Sequence, residues 1–82
     1  MTPTTDAATD IERQAEELAA KLAELTERRD AAVKRARELM AAEDSKAGVY
    51  YAQEIFAAKQ EKLALETEME ITRRQRVRLL MR

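Results

Sequence analysis

A chain of 82 residues, 38% of them charged and 4% aromatic, with one Gly and one Pro, holds one small domain and no more. Its 15 basic and 16 acidic residues leave a formal charge of −1, so no global field points toward nucleic acid or an anionic membrane. The lack of Cys and His removes disulfides, thiolate-bound zinc, thiol catalysis and the commonest general base, and neither a cofactor nor a small-molecule substrate is expected.

Ala, Leu, Glu, Arg and Lys dominate what remains, and these residues lose little entropy in a helix. High charge with few aromatics also describes disordered chains, but the regular spacing of Leu, Ile and Val argues against that. No apolar run approaches the ~20 residues that cross a bilayer. Residues 1–10 lack the basic and apolar parts of a secretory signal, so a cytoplasmic protein, or one in a particle assembled in the cytoplasm, is expected.

Residues 1–9 are small and polar, include the only proline, and read as a flexible lead-in. Thr9-Asp10-Ile11-Glu12 has the form of a capping box, which starts helix 1 at about residue 10 and carries it to about 42. Asp10, Glu12, Glu16 and Glu17 suit the positive end of its dipole. Ile11, Ala15, Leu18, Leu22, Leu25, Ala32, Val33, Ala36, Leu39 and Met40 form a narrow stripe of coiled-coil width. Arg29 sits at the centre of that stripe. Either it snorkels out of the seam, or it meets a buried carboxylate that fixes the register, with Glu66 as the candidate.

Past Leu39 the same phase would use Glu43, Lys46, Tyr50, Gln53, Ala57 and Gln60, a poor core. The segment Glu43-Asp44-Ser45-Lys46-Ala47-Gly48 supplies a break, with the only glycine, the only serine and two adjacent acids able to cap a new helix. A turn at about 43–48 therefore makes a hairpin, with one continuous helix through Gly48 as the alternative.

Helix 2 is expected over about 49–82 and carries two apolar tracks. One is Tyr51, Ile55, Ala58, Leu65, Met69 and Leu79; the other is Val49, Ala52, Phe56, Leu63, Val77 and Leu80. Lys59, Glu66 and Arg73 lie between them. Two tracks on one helix imply two neighbours. The fold class is thus all-α, a single antiparallel helical hairpin over 10–82 that assembles into a four-helix bundle or docks on a larger partner. Antiparallel folding also sets the acidic start of helix 1 beside Arg73, Arg74, Arg76, Arg78 and Arg82. The expected partner-binding surface is Tyr50, Tyr51, Ile55, Phe56 and Leu63, since Tyr is enriched at interface centres.

Two basic clusters suggest other partners. Arg73, Arg74, Arg76 and Arg78 are candidate nucleic-acid contacts, although cations at a helix C-terminus also complement its dipole. A membrane contact through so short a segment would be weak. Arg28, Arg29, Lys34, Arg35 and Arg37 are interspersed with Glu27, Asp30 and Glu38 and read as a solvated, salt-bridged face. Two such hairpins paired would resemble, in architecture alone, the Rop-type plasmid regulators that bind RNA loops.

Ala36-Arg37-Glu38 before a tip with Glu43, Asp44 and Tyr51 resembles the helical hairpin of bacterial Gre-type transcript-cleavage factors. That resemblance would imply an acidic tip entering an RNA polymerase channel. The family's second tip acid and its following Asn-Ala-Glu are replaced here by Ala47, Gly48, Val49 and Tyr50, so the acids are read as caps. Arg13, Arg28 and Arg35 would serve a likeness to small helical chorismate mutases. No cluster of that family's spacing accompanies them, and no enzymatic activity is expected.

The function expected from the sequence is that of a non-enzymatic coiled-coil interaction, structural or accessory subunit, such as a component of a phage particle or another large assembly. A small nucleic-acid-binding regulator is the alternative, and an RNA polymerase-binding hairpin a further one.

Overall fold

The computed structural model describes residues 3–81, with side chains from residue 8 onward. Two helices, α1 (Pro3–Ala42) and α2 (Ala52–Leu80), fold back on each other into a rod of 72 × 15 × 13 Å. The chain is a helical hairpin, and the continuous-helix alternative is overturned.

α1 begins earlier than its capping-box pattern implies. Thr9 lies inside the helix, and the lead-in expected over residues 1–9 is helical from Pro3. Proline is tolerated in a first turn, where its missing N–H would have no intrahelical partner. Met1, Thr2 and Arg82 lie outside the described residues.

The seam follows the four–three spacing on both helices. From α1, Ala15, Leu25, Ala32 and Ala36 are buried, with Ile11, Leu18, Leu22 and Leu39 half-buried. From α2, Ala58, Leu65, Met69 and Thr72 are buried, with Ile55 and Leu79 half-buried, and Tyr51 just before the helix is half-buried as well. Leu25, Leu65 and Met69 form the central apolar cluster, against which Leu22 packs. Toward the turn the buried seam residues are the alanines Ala32, Ala36 and Ala58, flanked by the half-buried Leu39 and Ile55.

The turn is specified bond by bond. Asp44 and Val49 exchange two backbone hydrogen bonds, of 2.9 and 2.8 Å, around Ser45, Lys46, Ala47 and Gly48. Asp44 Oδ1 accepts from the amides of Lys46 and Ala47 at 3.0 and 3.3 Å, which is how a short acidic side chain stands in for a turn's backbone. Gly48 closes the loop at a φ of +69°, a left-handed conformation that strains any L-residue with a Cβ. Helix 2 thus starts at Ala52 rather than 49, because Val49 is held in the bridge. Its first residue gets no side-chain cap from Tyr51. The Glu43 carboxylate, from the end of α1, instead accepts the Tyr51 amide hydrogen at 3.0 Å, placing negative charge at the positive end of α2.

Candidate interaction surface

Arg29 pairs across the seam with Glu66, the residue expected to meet it. Its Nη1 lies 3.2 Å from Glu66 Oε2 while its Nε donates to Asp30 Oδ1 at 2.7 Å. Glu66 is also 3.3 Å from the Lys62 ammonium. The two pairing heads are only partly covered, at 26% and 35% side-chain exposure, so Arg29 combines both expected outcomes: it leans out of the seam and pairs there. Hydrogen bonding from Lys62, opposed by burial and reinforced by Arg29, holds the Glu66 carboxyl below its ordinary range.

Arg35 pairs with Glu61 on the opposite side of the seam. Arg28 and Glu68 occupy the same heptad positions one repeat away, and Lys21 and Gln75 line one groove a further repeat on. This flank of the hairpin therefore matches basic residues of α1 to acidic or amide residues of α2. The cross-helix ion pairs lie mid-rod, one on each side of the seam, and not at the helix ends. The acidic start of α1 and the Arg-rich end of α2 form no ion pair with each other among the described residues; Arg13 takes Asp10 and Glu17, and Arg73 and Arg74 both take Glu70.

The other flank has a different character. Val33, Ala36, Arg37 and Met40 of α1 and Lys59 and Leu63 of α2 line a shallow groove along it. Phe56 lies two turns before Leu63 on the same line of α2, and Val77 lies two heptads beyond. Leu63 is 54% exposed, Phe56 64% and Met40 45%. Thr26 and Thr67 return their hydroxyls to the carbonyls of Leu22 and Leu63, at 2.8 and 3.0 Å. Among the described residues, Arg37 and Lys59 make no ion pair.

The five residues expected to bind a partner are thereby divided. Tyr50, Phe56 and Leu63 are exposed, whereas Tyr51 and Ile55 are half-buried seam residues beside the turn. The consecutive tyrosines, both in the segment before α2, differ in burial: Tyr50 is exposed and Tyr51 half-buried. The residues missed in the sequence are Val33 and Met40, which extend the apolar flank onto α1. Their signal was position: each sits one residue beyond a seam member, Ala32 or Leu39, and so rotates out of the stripe.

Of the four arginines proposed for nucleic acid, Arg73, Arg74 and Arg78 line one shallow groove near the end of α2 together with the acid Glu70, and Arg76 does not. Arg73 and Arg74 contact Glu70 at 2.7 and 3.1 Å. Arg76 occupies a seam position and its Nε donates to the Ala15 carbonyl at 3.3 Å. Arg78 lies on the rim of three different grooves. No group of three or more His, Cys, Asp or Glu among the described residues is arranged to hold a metal, and no described helix is long and apolar enough to cross a membrane. No family model matches the chain, and no curated protein or solved structure is significantly similar to it.

Proposed function

We propose that this hairpin is a non-enzymatic binding module, a structural or accessory subunit that works by laying its apolar flank on another protein surface. The observation that carries this reading is the inequality of its two flanks. One is closed by matched charges around Arg35 and Glu61; the other exposes Met40 of α1 and Phe56 and Leu63 of α2. A solvated helical rod gains nothing from a row of large apolar side chains on one side, and contiguous patches of that kind mark interaction sites. A stiff rod with one adhesive side suits a part that packs against others in a larger assembly.

The test is photo-cross-linking in the cells that make the protein. A photoreactive residue at Leu63 or Met40 should yield discrete cross-linked species, and one at Arg28 or Glu68, on the charged flank, should not. Equal yields from both flanks, or none from either, would refute the reading.

A further inference from the structure

We infer that the apolar flank is covered by a second copy of this chain, docked antiparallel about a two-fold axis that crosses the groove at the level of Val33 and Leu63. This rests on the binding reading above and adds the occupant. Val33 and Leu63 line the same groove, and the register set by the Arg29–Glu66 and Arg35–Glu61 pairs brings them to about one level of the rod.

Charge along that flank is ordered about this level. On α1, Arg37 lies four residues toward the turn from Val33, and Asp30 lies three residues away from it. On α2, Lys59 lies four residues toward the turn from Leu63, and Glu66 three residues away. Both helices thus present a cation on the turn side of the groove and a carboxylate on the far side. A two-fold perpendicular to the helices sets α1 on α1 and α2 on α2, each pair antiparallel. Arg37 of each copy then meets Asp30 of the other, and Lys59 of each meets Glu66 of the other. An isologous interface requires this self-complementarity, in which residue i meets j and j meets i.

Two further observations agree with the arrangement. Arg37 and Lys59 lack ion pairs within the chain among the described residues, whereas Asp30 and Glu66 already pair with Arg29 and Lys62 and would share their carboxylates with the second copy. Met40 of one copy comes level with Thr26 of the other, whose hydroxyl is already bonded to the Leu22 carbonyl. Size is also sufficient. From Val33 to the turn is about 15–20 Å at the helical rise, so the copies overlap over roughly 35 Å. With a rod 15 Å wide, that covers about 500 Å² per copy, close to the ~1,000 Å² total at which specific interfaces begin. Micromolar self-association is expected.

The chain has no cysteine, so single cysteines report cleanly. Residues on a two-fold meet their own copies. Leu63→Cys and Val33→Cys should therefore cross-link to dimer with a short bis-maleimide, while Ile71→Cys, exposed on the charged side, should not. Sedimentation equilibrium should show a dimer, weakened about tenfold or more by Arg37→Asp alone or Asp30→Arg alone. Mixing those two variants should restore a heterodimer, because every facing pair is then of opposite charge. A monomer at all concentrations, preferential cross-linking at Ile71→Cys, or a mixture no tighter than its components would overturn the proposal. A monomer whose Leu63 photo-probe still captures a different protein overturns the self-pairing alone. A monomer with no capture overturns the binding reading as well.

Discussion

Replacing Gly48 isolates the backbone cost of the turn. Its φ is +69°, and a Cβ built there meets no atom within 4 Å. No steric clash contributes, so Gly48→Ala is expected to cost only the left-handed penalty of an L-residue, about 1–2 kcal/mol. The stiffer unfolded chain of the alanine variant returns about 0.4–1 kcal/mol, leaving a net loss of roughly 1 kcal/mol. In a domain of this size that lowers Tm by about 4–8 °C. Because the chain is short enough for chemical synthesis, D-Ala at position 48 is the matching control. It occupies the same empty space without the backbone penalty and should stabilise by about 0.4–1 kcal/mol. Urea unfolding followed by circular dichroism at 222 nm, at one fixed protein concentration, separates the two. An L-Ala variant as stable as the parent, or a D-Ala variant no better than the L-Ala one, would refute the assignment of strain to this residue.

Other expectations follow from the seam and its charges. Leu65→Ala should remove about 2–4 kcal/mol, enough to leave so small a hairpin largely unfolded, whereas Ile71→Ala, exposed on the charged side, should change stability by less than about 0.5 kcal/mol. Circular dichroism melts of the pair check this. The Glu66 carboxyl is held below its ordinary value of 4.5, so its stabilising contribution is complete above that pH and is lost as the pH falls through the lowered folded value. Glu66→Gln should flatten this part of the acid limb in a pH series of melts, and an unchanged limb would count against the Arg29–Glu66–Lys62 network. Replacing Arg73, Arg74 and Arg78 with Ala should leave no salt-dependent RNA or duplex DNA binding to lose. A mobility shift that weakens steeply with salt in the parent and vanishes in the variant would revive the nucleic-acid reading.

The parts of the fold legible in the sequence were those set by local rules. The stripe from Ile11 to Leu39 follows a strict four–three spacing, and Gly48 with its two acids marked the turn. Arg29 and Glu66 were matched because folding at the turn brings them level. The start of α1 was misplaced because a capping box is a local pattern that a helix can run through, and Thr9 is such a case. The end-to-end charge pairing failed for a related reason. Arg13, Arg73 and Arg74 find carboxylates three or four residues away on their own helix, where pairing needs no partner helix. The flank itself was half visible. Phe56 and Leu63 stood out as a second track, but Val33 and Met40 look like core until the width of the seam is known.

The bonded turn also sets the order of assembly. Asp44 and Val49 are five residues apart in sequence, and each later layer of the seam, through Ala36 and Ala58 to Leu25 and Met69, closes a longer loop than the one before. Loop-closure entropy rises slowly with length, so once the turn forms each layer adds to an already shortened gap. The hairpin should therefore zip from Gly48 toward its open end, within the microsecond-to-millisecond range of low-contact-order helical domains. In stopped-flow or temperature-jump experiments, Gly48→Ala should slow folding, whereas a seam change near the open end, such as Leu18→Ala, should mainly speed unfolding.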